Sequence, residues 1–524
     1  MRYLTNHLPR LGTLGRPASL LSLSLLSGLL LTSCKKDFLV ENNPNAVAAD
    51  NYYRSENDVL LALNGVYAAL RDNNGLAEGG DLYGEQRSDN TGTNDNQSNA
   101  GEPFQFNAFS LLPSNSYLQN HWTALYQIIT RANYVLAGSE AVTFAQASTK
   151  TQYQAEAKFL RALTYFNLVR EWGDVPLVTV PLTTPNAVTA NTFREKKEKV
   201  YAQIVADLTD VIASPLPDAQ SAANTGRVSK IAANALLGKV YLTMATTLDP
   251  ATRTANLTQA KTYLTAAYSK RTFGLLREIP YADVFDVTKK AANPEAIFRI
   301  VYRQGDINYS SRIAANYQAQ GETINSLRPN TGVGGNVTPD LVLDYETGDV
   351  RKDFSIKYAN AAVVKDYFIT KYRDASAAAG TTGYGGNDWL LLRFADVLLL
   401  LAETNLYLGD AATATSQLDQ VRERAGLPRY AVASATASYS AKYPTLKLAI
   451  LHERRVELAF ENQRWFDLQR AFTAQELVSY FQTKSQTNFG SAQLTNFGLK
   501  DYYYPVPFNE AKLNPTGMYQ NPGY

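Results

Sequence analysis

The residues best placed to do chemistry lie near the C-terminus, in Leu448–Arg470, LAILHERRVELAFENQRWFDLQR. The stretch carries His452, three glutamates (Glu453, Glu457 and Glu461), Asp467 and several arginines. Paired carboxylates such as Glu457 and Glu461 are the raw material of glycoside hydrolysis. His452-Glu453 begins like a zinc-protease helix, but Val456 stands where the second histidine is required, so no zinc site forms from it. The only other histidines are His7 and His121, and no G-x-S-x-G elbow accompanies them. Asn330–Gly335 is glycine-rich but is not followed by Gly-Lys-Ser/Thr, and Asp89–Asp95 only loosely echoes a calcium loop. Neither a metal nor a cofactor is expected.

The same stretch has a structural reading. It contains no Gly or Pro and is rich in helix formers, which predicts one long helix. Arg454 and Glu457, and Glu461 and Arg464, are three residues apart, so each opposite-sign pair can bridge on one helical face. Arginine neighbours keep carboxylates ionised, which suits a salt-bridged network better than a general acid. Arg454, Glu457, Glu461, Arg464 and Trp465 are therefore read as a structural network whose loss, as in Glu457→Ala or Arg464→Ala, lowers stability.

The elements that must hold this network are helical. Apolar residues recur with helical period at 57–70, 117–136, 151–171, 196–212, 229–247, 257–268, 389–408 and 411–425. Some carry tetratricopeptide spacing: Leu237, Gly238 and Tyr241 match L-G-x-x-Y, and Ala260, Leu264 and Ala267 match the small-large-small pattern of a second helix. The expected fold is mainly α, an α-α superhelix of four divergent helix pairs spanning 51–270 and 389–471. Irregular inserts at 71–116 and 270–388 form a loop-rich lobe, with short strands expected near 296–302 and 363–370. The proline-containing segment 472–524 is expected to be extended.

Aromatic residues make up 11% of the 524-residue chain, including 33 tyrosines. Rings with hydroxyls suit sugars, whose C–H faces stack while their hydroxyls bond to Asp, Asn and Arg. The insert 71–116 offers Tyr83, Arg87, Asp89, Asn90, Phe104 and Phe106, and binding is expected to depend on the loop from Arg87 to Asn90. Tyr309, Tyr384 and Trp389, with Asn308 and Tyr317, are further candidates in and beside the second insert.

The N-terminus reads as an address. Arg2, Arg10 and Arg16 precede an apolar run, Ala18–Leu31, that ends in Leu31-Thr32-Ser33-Cys34. This resembles a lipoprotein signal (1–33) cleaved before Cys34, the chain's one cysteine, followed by a tether (34–50). The full chain has net charge +2, and without the three leader arginines it is 2 − 3 = −1. No basic stripe marks a nucleic-acid partner.

Four blocks carry a family resemblance. Ala155–Ala162 with Tyr165-Phe166 and Trp172–Leu177, Leu392–Val397 with Ala402-Glu403, Glu453–Glu461 with Arg464–Leu468, and Pro505-Val506-Pro507 with Asn514-Pro515 and Gln520–Tyr524 resemble signatures of the SusD/RagB family. The Cys34–Leu39 start resembles its lipidated N-terminus. The resemblance implies a non-catalytic, lipid-anchored protein at the exterior of the outer membrane. It would capture an oligosaccharide, or in some members a peptide, in an aromatic arc and deliver it to a SusC-like TonB-dependent transporter. The rival readings are a surface glycoside hydrolase and a protein-binding scaffold.

Overall fold

Gly238 and Leu264 show how the tetratricopeptide spacing becomes architecture. In the computed structural model, a Cβ at Gly238 would sit 2.5 Å from Leu264 Cγ and 2.9 Å from its backbone nitrogen. The missing side chain is what lets Lys230–Thr247 and Arg253–Tyr268 lie against each other. One turn on, Tyr241 stacks on Tyr263 with ring centroids 5.7 Å apart.

The structure describes residues 52–93, 97–327, 336–359, 366–484 and 492–524. The expectations for the leader, Cys34 and the tether, and for most of the Asn330–Asn336 loop, lie outside the described residues. From Tyr53 to Tyr524 the chain is one compact unit.

Its scaffold runs α1 (Glu56–Ala69), α2 (Ser116–Glu140), α3 (Ala147–Trp172), α4 (Lys197–Ala213), α5 (Lys230–Thr247), α6 (Arg253–Tyr268), α7 (Phe394–Tyr407) and α8 (Ala411–Arg424). Each packs against the next, as expected of a superhelix. Side chains close several N-termini: Asn115 accepts from Leu118 N (3.1 Å), Ser229 from Ala232 N (3.3 Å) and Asp410 from Thr413 N (3.1 Å).

Three local expectations fail, each through a tertiary contact. Trp389–Arg393 is not the start of α7 but a strand, paired antiparallel with Ala296–Ile300 in the register Ile300↔Trp389 and Ala296↔Arg393. The segment after 472 is not wholly extended, since Ala474–Gln482 is a helix whose apolar side packs Leu477 and Phe481 into a satellite core with Phe109, Trp465 and Phe497. The predicted long helix breaks into α9 (Leu446–Glu457) and α10 (Arg464–Ala471). Between them Phe460 and Asn462 adopt left-handed backbone, φ 66° and 56°. The break is held from outside: Phe460 N donates to Glu85 Oε1 (2.8 Å), and Tyr372 Oη donates to Phe460 O (3.0 Å).

Candidate functional site

The break decides what the charges of α9 and α10 do. Glu457, fully buried, receives Arg393 Nη1 at 2.7 Å and Arg424 Nη2 at 2.5 Å on one oxygen, and Arg351 Nη1 at 3.0 Å on the other. Glu461 binds Arg393 Nε (2.7 Å) and Lys371 Nζ (2.6 Å). Arg454 bridges Asp396 and Asp467, each at 2.8 Å, and Arg464 holds Asp89 at 2.7 Å. The expected pairs Arg454–Glu457 and Glu461–Arg464 therefore do not form, and the partners come from the strand 389–393, α7, α8 and both inserts. Burial works against the charge on Glu457, yet Arg424, Arg393 and Arg351 hold its carboxyl well below the usual carboxylate range. Burial likewise opposes Asp89, but Arg455, Arg464 and Lys484 hold it well down. Glu457 and Asp89 are thus held ionised by the cations around them.

Several residues assigned to binding belong to this network instead. Arg87, Asp89 and Asn90 are each 0% exposed. Arg87 Nη2 donates to Asp501 O (2.8 Å), and its guanidinium sits among the rings of Phe109, Tyr504 and Trp465. Asn90 accepts from Arg455 Nε (2.9 Å) and donates to Glu85 Oε1 (2.7 Å). Phe106 is buried against Tyr83 and Tyr504, and Trp389 lies in the core, stacked on Tyr372. The polar composition of residues 85–93 reflects buried hydrogen bonding, not solvation.

Tyr83, Tyr309 and Tyr384 have a different setting. The inserts meet in a cleft of about 360 Å³. Asn73, Asn74, Glu78, Asp81 and Tyr83 line one wall, Tyr117 stands at the start of α2, and Arg312, Asn316, Tyr317 and Tyr384 line the other. The walls are stitched together at Glu78, whose Oε1 accepts from Arg312 N (2.6 Å) and whose Oε2 accepts from Ser311 Oγ. Ser311 in turn pairs with Gly385, with N–O distances of 2.7 and 2.9 Å. Asp374 fixes the same loop through Gln304 Nε2 (2.6 Å) and Gly386 N (2.7 Å). A Cβ at Gly385 would lie 2.7 Å from Asp374 Cβ, so the glycine permits this closeness.

Tyr83 is a wall rather than a platform: its ring stacks on His121 at 3.7 Å and its hydroxyl donates to Tyr117 O (3.1 Å). Tyr384 is half-buried beneath the Arg312 guanidinium, with Cζ 5.1 Å from the ring centroid. Tyr309, on the loop that leads to Ser311, is 46% exposed and carries Arg71 at 4.7 Å. Neither Arg71 nor Arg312 has a carboxylate within ion-pair distance among the described residues, so neither is matched by an ion pair. Burial pushes Glu78 up to about 7 and Asp81 up to about 6, so both titrate near neutrality.

Arg71, Glu78, Asp81, Tyr117 and Arg312 were not singled out in the sequence. They come together only because two inserts more than two hundred residues apart, as in the Glu78–Arg312 contact, close on one another. The chemistry offered is stacking, hydrogen bonding and cationic contact. Among the described residues no cluster of three or more His, Cys, Asp or Glu could hold a metal ion.

The chain is thus a mainly α-helical scaffold with a loop-built cleft. Family profiles described as "Starch-binding associating with outer membrane" and "SusD family" match residues 37–242 and 359–524. Similar relatives include SusD-like protein P2 of Formosa agariphila, 27% identical over 522 residues, covering 95% of this chain and 98% of that one. Among solved structures, a laminarin-binding SusD-like protein superposes with a TM-score of 0.71 at 27% identity, over 90% of this chain and 100% of its own. B. fragilis NanU superposes with a TM-score of 0.73 at 25% identity, over 92% and 99%. The chain belongs to the SusD/RagB family, as its sequence blocks implied.

Proposed function

We propose that this protein is a lipid-anchored, non-catalytic glycan receptor at the outer face of the outer membrane. It captures an oligosaccharide in the cleft between its inserts and delivers it to a SusC-like TonB-dependent transporter. The observation that carries the reading is the cleft itself, where Tyr384, overlaid by Arg312, stands with Asn73, Asn74 and Asn316, while the exposed Tyr309 ring, overlaid by Arg71, lies two residues before Ser311 of the same wall. A sugar ring stacks on such a platform while its hydroxyls find amide and guanidinium partners. The laminarin-binding relative supports a glycan as the ligand class. Against hydrolysis stands the state of Glu457 and Glu461, buried and neutralised by arginine and lysine. Anchorage through Cys34 would confine the receptor to the membrane plane, where modest affinity suffices beside a transporter.

The test is calorimetric titration of an oligosaccharide panel against the wild type, Tyr384→Ala and Tyr309→Ala. Each substitution is expected to weaken binding about tenfold, with the unfolding midpoint unchanged. Unaltered binding in both variants, or release of shorter products from any polysaccharide, would overturn the reading.

A further inference from the structure

A second cavity, of about 220 Å³, adjoins the Tyr309 platform through Arg71, which lines it. The same two chain segments build both sites: Leu70–Arg71 and Arg299–Val301 line this cavity, and Asn73–Gln86 and Arg312–Tyr317 contribute to the cleft. Gly226 makes the close approach possible, because it holds φ 87° and a Cβ there would meet Val301 Cγ2 at 2.7 Å.

The cavity's walls include Arg71, Arg227 and Arg299, and no carboxylate among the described residues lines it. Arg227 Nη2 lies 3.0 Å from Glu156 Oε1, and Arg227 Nη1 donates to Asn64 Oδ1 at 3.1 Å. Arg299 Nε is 3.4 Å from Asp388 Oδ2, but Asp388 is shared with Lys290 at 3.0 Å. Arg71 has no ion-pair partner among the described residues. Four cations (Arg71, Arg227, Arg299 and Lys290) thus share two carboxylates (Glu156 and Asp388). Glu78 forms no ion pair with any of them; its oxygens accept from Ser311 and the Arg312 amide instead. Burial also holds Arg299 below the ordinary guanidinium range, the condition a bound anion would relieve. Around Glu457, by contrast, each arginine meets a carboxylate.

We propose that this pocket is an anion subsite, taking the carboxylate or sulfate of an acidic sugar whose neighbouring ring lies on Tyr309, so that the favoured glycan is anionic. Guanidinium forks match the paired oxygens of carboxylate and sulfate, and Arg71 joins platform to pocket. The inference rests on the glycan-capture reading and extends it to a ligand class.

The experiment compares, by calorimetry, tetragalacturonate with its carboxyl-reduced counterpart, and a sulfated carrageenan oligosaccharide with its desulfated counterpart. Wild type, Arg71→Gln and Tyr309→Ala are titrated at 50 and 500 mM NaCl. At low salt one acidic ligand is expected to bind about tenfold tighter than its neutral counterpart, the gap closing at high salt. Arg71→Gln should weaken the acidic ligand about tenfold more than the neutral one, whereas Tyr309→Ala should weaken both alike. Equal affinity for acidic and neutral forms, or an unchanged ratio in Arg71→Gln, overturns the subsite and leaves glycan capture standing. If no oligosaccharide binds, glycan capture fails, and sodium sulfate becomes the probe. A sulfate-dependent rise in unfolding midpoint that is lost in Arg71→Gln keeps an anion pocket for free oxyanions, and no rise overturns it.

Discussion

Around Glu457, three arginines converge on one carboxylate and none of the four side chains is more than 1% exposed. Around Tyr309 and Tyr384, two arginines lie over rings, and neither guanidinium is within ion-pair distance of a carboxylate among the described residues. The residue types are nearly the same and the outcomes are opposite. Charges removed from water must be matched, and once matched they are fixed. Charges left at a rim can stay unmatched because water solvates them, and cations in excess of their carboxylates remain available to a ligand. Function is therefore sought where arginines outnumber their carboxylates, and rigidity where each is fully matched.

The largest effect is expected from breaking the paired region. Glu457→Ala strips the counter-charge from Arg351, Arg393 and Arg424 and should cost about 3–5 kcal/mol of folding stability, read from urea denaturation. Arg464→Ala should cost less, because Arg455 and Lys484 remain on Asp89. A Glu457→Ala protein as stable as the wild type that had lost ligand would reverse the two regions' roles. Next is the scaffold contact. Gly238→Ala pushes a methyl into Leu264 and should cost about 1–3 kcal/mol, with ligand affinity in the surviving folded protein unaltered; a neutral effect would mean that α5 and α6 can separate freely.

The smallest effect tests an acid that the network leaves unmatched. Burial raises Glu85 to about 7, and its Oε2 has no hydrogen-bond partner. A carboxyl raised in the fold is bound to its proton more tightly there than in the unfolded chain. It therefore costs nothing below the unfolded value near 4.5, and the cost grows as pH rises towards 7. Glu85→Gln should accordingly match wild-type stability at pH 4.5 and exceed it at pH 8 by on the order of 1 kcal/mol. The gain is modest because the amide keeps an unmatched atom. Thermal unfolding at the two pH values reads it, and a pH-independent difference would mean that Glu85 is not the titrating group.

The break at Leu458–Gln463 shows why some features were not legible. Its composition offers only Asn462 as a weak stop signal, with neither Gly nor Pro. The helix ends because Glu85 and Tyr372 bind the backbone of Phe460 and because Arg393 and Lys371 hold Glu461, groups as distant as residue 85. Trp389–Arg393 misleads for the same reason: a run of large apolar residues fits a buried helix or a buried strand, and pairing with Ala296–Ile300 chooses. Arg87, Asp89 and Asn90 look like a polar loop because sequence carries types and not exposure. Tyr309 and Tyr384 are candidates on residue type and loop position alone, and the arginines over them had no local signal.

By itself, then, the sequence determined what depends on neighbours along the chain. It set the helical periods of α1–α8, the small-against-large spacing of Gly238 and Leu264, and the blocks that place the chain in its family. The tertiary structure decided which carboxylate each arginine meets, where the C-terminal helix breaks, and which tyrosines reach solvent. The reason is physical: apolar periodicity is a local property of the backbone repeat. A charge takes its partner, and a ring its exposure, from whichever segment folding brings within a few ångströms.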